Sequence, residues 1–331
     1  MIVHQGLRRD IVAMSDGLSA ASLILARYGW TLSLSPGSEA ADSGPDSVLW
    51  RCSAGNLIVA SSPGSPGGLI VEFPDLARAE VSRSDRRVRV SPLVPGLSRH
   101  DLGHFISDIL LPRLVAEDGP LVVHGALLPR DTDAVCLVGD SGRGKSTLSA
   151  ALQKAGWTLH GDDALHLRAE GAEIGARATY PSLRLFSDSL DHLFPDPPAD
   201  LSPVADYLDK FRLAPDDVGG PAETPRLRAV LLLEGGDGTD AIAARPVTAV
   251  TLCMSLLRQS FSLNPADPVA AHERLTAASA VTAAVPGFAL SYPREFARLP
   301  EVVDLVRSTL DRVGAAAKQE MAARSGLPGD I

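Results

Sequence analysis

The alternation of apolar and polar positions changes character partway along the chain. A helical stretch opens at Asp16-Gly17-Leu18-Ser19, carries Leu18, Ala21, Leu23, Ile24 and Ala26, and closes at Tyr28-Gly29. Short apolar runs follow at Thr31 to Leu34, Val48 to Cys52, Asn56 to Ala60, Gly68 to Phe73 and Arg87 to Val90. Clusters of Ser, Gly, Pro and Asp separate them, which is the punctuation of an antiparallel sheet. One such cluster, Ser61-Ser62-Pro63-Gly64-Ser65-Pro66-Gly67-Gly68, reads as a plain turn, because it lacks the helix and lysine of a phosphate site. From Leu97-Ser98-Arg99 the period lengthens: Leu102, Phe105, Ile106, Ile109, Leu110, Leu114 and Val115 mark a helix buried on one face, expected to connect two parts of the molecule.

Beyond that helix the order becomes strand, loop, helix, strand, the grammar of an α/β nucleotide-binding unit. Arg228 to Leu233 reads as a further strand, and Glu234-Gly235-Gly236-Asp237-Gly238 as a tight turn rather than a calcium loop. Two or three Ala- and Leu-rich helices are expected between Thr248 and Val313. The boundaries expected are a small α+β N-terminal domain over 1–96, an α/β domain with a central mixed sheet flanked by helices over 97–316, and a flexible tail over 317–331.

Composition narrows the classes. At roughly 150 residues per domain, 331 residues suffice for about two domains. With 45% apolar and 21% charged residues, collagenous, coiled-coil and wholly disordered chains are excluded. Lys plus Arg number 31 against 40 Asp plus Glu, a net charge of −9 that repels phosphate backbones and anionic lipid, so neither nucleic acid nor membrane is an expected partner. No run approaches the ~18 apolar residues of a membrane span; Ala277 to Leu290 comes nearest and is broken by Pro286. Cys52, Cys136 and Cys253 form no C-x-x-C pair and read as reduced thiols, and the start Met1-Ile2-Val3-His4-Gln5-Gly6 lacks the pattern of a signal peptide. A cytoplasmic location is the expectation.

The chemistry sits in one stretch. Val135-Cys136-Leu137-Val138 runs into Gly139-Asp140-Ser141-Gly142-Arg143-Gly144-Lys145-Ser146-Thr147, the G-x-x-x-x-G-K-[ST] pattern between a strand and a helix that continues through Leu148, Ala151 and Leu152 to Gly156. Glycines at 139, 142 and 144 let backbone N–H groups wrap a polyphosphate, and the helix directs its positive end at the same anion. Lys145 is placed to reach the β and γ phosphates and Ser146 to ligate Mg²⁺, so ATP and Mg²⁺ are the expected cofactors. The first four residues also spell the nucleophile segment of chymotrypsin-like proteases, a reading the following Lys145-Ser146 and helix oppose.

Leu159-His160-Gly161-Asp162-Asp163-Ala164-Leu165 follows, with Trp157-Thr158-Leu159 expected as a strand parallel to its neighbour and the two carboxylates at its end beside the loop. One carboxylate suits Mg²⁺, the other orientation and deprotonation of an acceptor hydroxyl. Upstream, Leu121-Val122-Val123-His124-Gly125-Ala126-Leu127 reads as a strand, and its histidine alone reads as a packed core group. Arg184 and Arg212 are candidates to contact phosphate, since a forked guanidinium stabilises spreading charge.

Taken together, His124-Gly125, the Gly-Asp-Ser-Gly-x-Gly-Lys-Ser loop and Asp162-Asp163 resemble the catalytic domain of the HPr kinase/phosphorylase family, over about 45 residues from Val122 to Leu167. The resemblance implies a P-loop kinase in which Asp162 is the base for a serine hydroxyl and His124 lies near the transferred phosphate. Thr147 stands where that family usually has Glu, and its Glu-x-Arg-Gly-x-Gly signature is replaced by Tyr180-Pro181-Ser182-Leu183-Arg184-Leu185-Phe186-Ser187-Asp188-Ser189. That run is similar to divergent HPr-kinase-like proteins of peptide-modification pathways, including those of lasso peptides.

The function expected is an ATP- and Mg²⁺-dependent kinase acting on a Ser or Thr hydroxyl of a peptide or small protein. The site expected is Asp162, His124 and Lys145 for catalysis, residues 139–147 for nucleotide, and Ser146 with Asp163 for the metal. A kinase of a free small-molecule hydroxyl and a non-catalytic nucleotide-binding module stay open beside it, as does assembly into a homo-oligomer.

Overall fold

A computed structural model of the chain describes residues 17–35, 47–52, 57–62, 67–119, 121–197, 201–213, 224–234 and 240–325. The turn expectations at Pro63 to Pro66 and Gly235 to Gly238, the N-terminal Met1 to Asp16 and the last six residues lie outside them. Two compact units divide the chain. The first takes Met1–Val122, Ser182–Asp216 and Ser260–Leu275; the second takes Val123–Pro181, Asp217–Gln259 and Thr276–Ile331. Boundaries near residues 97 and 317 are the expectation from sequence, whereas each compact unit takes three separated segments.

In the first unit α1 (Gly17–Arg27) ends as its sequence dictates. Gly29 takes φ +74°, and the amides of Tyr28 and Trp30 both donate to the Leu25 carbonyl. Six strands follow: β1 (Thr31–Leu34), β2 (Val48–Arg51), β3 (Ile58–Ser61), β4 (Leu69–Phe73), β5 (Ala77–Ser82) and β6 (Arg87–Pro92). Their order is β1-β6-β5-β4-β3-β2, antiparallel throughout except that β1 runs parallel to β6. The apolar side chains of α1 and of the strands, among them Leu25, Val59, Val71 and Val88, are fully buried; each such residue contributes about 1.5–3 kcal/mol.

α2 (Arg99–His104) starts where the apolar pattern begins. The Ser98 hydroxyl accepts from the Asp101 amide at 3.1 Å while the Asp101 carboxylate accepts from the Ser98 amide at 3.3 Å, a reciprocal cap. The helix then widens into a π-helical segment, Phe105–Leu110, before tightening into α3 (Leu111–Val115). Phe105, Ile106, Leu110, Leu111 and Leu114 are buried there, and so is the carboxylate of Asp108. The expected connecting helix therefore belongs wholly to the first unit.

The second unit begins with β7 (Leu121–Arg130), β8 (Asp133–Val138), α4 (Lys145–Lys154), β9 (Ala164–Glu170) and β10 (Glu173–Ala178). The chain returns to the first unit for β11 (Leu183–Phe186), α5 (Ser187–Leu193), β12 (Ser202–Pro203) and β13 (Lys210–Leu213), where the strands form a small antiparallel sheet. It then supplies β14 (Arg226–Leu233), β15 (Ala243–Pro246), α6 (Ala249–Arg258), α7 (Pro268–Ala284), β16 (Gly287–Ser291) and α8 (Leu299–Ser325). The helix α8 continues through residues expected to be a loose tail from 317.

The sheet of the second unit has the order β10-β9-β7-β8-β14-β16-β15. At its centre β8, β14 and β16 are parallel neighbours. Cys136, Leu137 and Val138 on β8, and Ala229 and Val230 on β14, are inaccessible, as strands covered on both faces require. Helix α8 packs on β14, β15 and α4 through a stripe that includes Val302, Val306 and Leu310.

Candidate functional site

The register of the central strands places the site at one edge. Val138, the last residue of β8, pairs with Leu232 of β14, which pairs with Ala289 of β16. On its other side Val138 pairs with Gly125 of β7, whose amide donates to the Asp163 carbonyl at 3.1 Å. Gly139, His124 and Asp163 therefore lie at one height of the sheet, and β16 runs on past that level to Ser291 at the same edge. Gly125 is required for this row: a Cβ there would lie 2.7 Å from the Leu137 carbonyl oxygen.

After β8 the chain forms the glycine loop. Gly142 and Gly144 take φ +76° and +87°, the left-handed region that only glycine enters cheaply. Gly139 is packed so closely that a Cβ would meet the Leu233 carbonyl at 3.1 Å. Gly144 is the N-cap of α4, no side chain caps that end, and no acid stands in its first turn, so the positive end of the helix opens onto the loop. Lys145 is buried, and its Nζ donates to the carbonyls of Gly139 at 2.7 Å and Asp140 at 3.0 Å. Ser141 and Gly142 are exposed, while Arg143, Ser146 and Thr147 are half-buried. At its far end α4 stops with Gly156 at φ +89°, as expected.

The segment before Asp162 departs from expectation. Trp157 to Leu159 is no strand parallel to a neighbour; it runs antiparallel beside β7, with Thr158 N–H on the Pro129 carbonyl, His160 N–H on Leu127, and Leu127 N–H on Gly161. Gly161 has no room for a side chain, since a Cβ would lie 2.7 Å from Ala178 Cβ and 2.8 Å from the Tyr180 carbonyl oxygen. Asp162 is 3% exposed, and the Asp163 carboxylate lies 3.7 Å from His124 Nε2, an ion pair whenever the imidazole is protonated. His124 is thus half-buried against a carboxylate and not a packed core histidine.

Three residues against the loop were not anticipated. Gln259, which follows α6, donates from Nε2 to the Asp140 carboxylate at 2.7 Å and accepts the His124 N–H on its own carbonyl at 2.8 Å. The Tyr292 hydroxyl packs against Gly144, 3.1 Å from the position a Cβ would take, and burial pushes its pKa up to about 12. Arg294 donates through Nη2 to the Gly142 carbonyl at the crown of the loop. No spacing rule links residues so far apart; the sole cue was Tyr292-Pro293-Arg294 after an apolar run.

Arg184 and Arg212 belong to the first unit, where they are cross-strand partners on β11 and β13. Arg184 Nη1 lies 2.9 Å from the Asp108 carboxylate and Arg212 Nη2 3.8 Å from it. His104 Nδ1 lies 2.6 Å and Ser107 Oγ 2.5 Å from the same acid. Arg184, 2% exposed, is not a solvated surface charge.

In chemical terms the second unit joins an anion-receptive loop, a buried ammonium, two neighbouring carboxylates and an imidazole on an α/β scaffold with a mixed sheet. No protein-family model matches the chain, and no curated protein does. Among solved structures, one similar to it is the Hpr(Ser) kinase/phosphatase from Coxiella burnetii, at 13% identity and a TM-score of 0.32, covering 58% of this chain and 98% of that one. Among the described residues no helix is long and apolar enough to cross a membrane.

Proposed function

We propose that the chain is a phosphotransferase that moves the terminal phosphoryl group of ATP, with Mg²⁺, onto a Ser or Thr hydroxyl of a peptide or small protein. The observation that carries this reading is the loop itself: two left-handed glycines, an uncapped helix start, and a buried lysine whose ammonium rests on loop carbonyls. These groups fit a magnesium-bound triphosphate, since every one of them donates to or attracts anionic oxygen. When bound, that nucleotide supplies the transferable phosphoryl group, and its metal offsets the phosphate charge.

The chain's own residues then have defined tasks. Loop amides and Lys145 hold the phosphates, with Lys145 exchanging two carbonyl partners for phosphate oxygens. Ser146 and Asp163 would hold the metal. Asp162 takes the acceptor's proton as the new O–P bond forms and the bond to the leaving diphosphate oxygen breaks. His124, beside Asp163, orients the acceptor end of the site.

The test is transfer of labelled γ-phosphate to a Ser- and Thr-containing peptide library, with a metabolite panel run in parallel. Wild-type protein should label peptide, and Lys145→Ala should lose labelling while keeping its circular dichroism and melting temperature. Undiminished labelling by Lys145→Ala sinks the mechanism, and labelling of metabolites alone replaces the proposed acceptor class.

A further inference from the structure

Arg294 reaches the phosphate loop from a part of the chain that no motif marks. It follows β16 by three residues, and β16, parallel to β14 and β8, runs two residues past the level of Val138, since Val138, Leu232 and Ala289 are in register. The loop after β16 therefore opens at the same edge of the sheet as the glycine loop. Its start is anchored, since Tyr292 is 7% exposed and its hydroxyl abuts Gly144. Its guanidinium is exposed, and its described hydrogen bond ends on the Gly142 carbonyl, at the exposed crown of the loop.

That contact is a weak use of a strong group. A guanidinium carries five donors and a permanent charge, and it is matched to paired anionic oxygens rather than to one neutral carbonyl. Electrostatic balance points the same way. Arg143, Lys145, Arg258 and Arg294 stand against Asp140, Asp162 and Asp163, and Arg258 already lies 3.8 Å from the Asp140 carboxylate. A triphosphate brings several more negative charges, for which Lys145 and Arg143 are a thin counterweight. Lys145 itself rests on loop carbonyls, so both cations occupy places that an anion would take over.

From this geometry we infer that Arg294 is a second cationic ligand for phosphate, which leaves the Gly142 carbonyl and forks onto phosphate oxygens when a nucleoside triphosphate enters the loop. The inference rests on the nucleotide-binding reading above and names one more residue for it. Arg294 then adds its charge at the crown of the loop, and Tyr292, against Gly144, fixes the point from which it reaches.

Binding of a ribose-labelled fluorescent ATP, with unlabelled adenosine as competitor, separates the possibilities. Arg294→Ala should weaken triphosphate binding about tenfold or more and leave adenosine competition unchanged, the loss of a charge-assisted fork. Arg294→Lys should recover part of the loss as a point charge. Melting temperatures of both variants should match wild type, because the side chain is exposed. Triphosphate binding by Arg294→Ala within about twofold of wild type overturns the inference while the nucleotide reading stands. An equal loss for adenosine and triphosphate also overturns it, marking a merely structural latch. Absence of triphosphate binding by wild-type protein overturns the nucleotide reading and this inference with it.

Discussion

Asp108 offers a measurement of how the first unit is held together. Its carboxylate is buried within the π-helical segment and faces His104, Ser107, Arg184 and Arg212. Burial works against its ionised form; Arg184 foremost, then His104 and Arg212, overcome that and hold the carboxyl well below the usual carboxylate range. Asp108→Asn keeps the volume and removes the charge, leaving Arg184 and Arg212 facing each other across paired strands, 2.9 and 3.8 Å from a group that no longer neutralises them. Breaking a buried pair from one side costs about 3–5 kcal/mol, and the asparagine oxygen, still able to accept, favours the lower figure. A folded-state pKa that is depressed contributes stability fully present above the ordinary carboxyl titration and lost progressively below it, as pH falls toward the depressed folded-state value. The gap between wild type and variant should therefore be full at neutral pH and shrink below about pH 4. Urea unfolding followed by circular dichroism, at neutral pH and again in acid, reads both quantities. A variant within about 1 kcal/mol of wild type at neutral pH, or a gap that acid leaves untouched, refutes the reasoning.

Two further outcomes are expected. Asp162→Asn should leave binding of the fluorescent nucleotide intact and slow phosphoryl transfer by about 10² to 10⁴; a loss smaller than tenfold in single-turnover assays removes Asp162 as the base. Burial pushes the Cys136 thiol up to about 12, so a thiol reagent near pH 8 should modify the half-buried Cys52 and Cys253 and spare Cys136 until the protein unfolds, as peptide mapping will show.

What the sequence disclosed was local. The strand, glycine loop and helix from Val135 to Gly156 are legible because every position is dictated by backbone geometry within a few residues, and Gly142, Gly144 and Gly156 have the positive φ their placement implies. Strand β5 escaped notice, since Ala77-Arg78-Ala79-Glu80 has little intrinsic strand preference and is held by its neighbours β4 and β6. Strand β16 escaped for a similar reason, sitting after Pro286 at the end of an Ala-rich helix. The direction of Trp157 to Leu159 is not legible in the sequence, because its hydrogen bonds go to β7 and pairing direction is a tertiary fact. Within the site, His124 and Asp163 were legible as residues. Gln259, Tyr292 and Arg294 were not, since their meaning arises only when parallel strands bring distant segments to one edge. Asp108 carried a faint cue, a carboxylate between Ile106 and Ile109 in an otherwise apolar stripe.

The distant partners of the glycine loop arrive late in synthesis. Gln259 is 119 residues beyond Asp140, and Arg294 is 152 residues beyond Gly142. A ribosome that has already translated the whole G-x-x-x-x-G-K-S stretch must translate more than a third of the message again before the first contact exists and almost half before both do. A nascent or prematurely terminated chain would thus carry the signature without the contacts that hold the loop, which form only once β16 has been set beside β14.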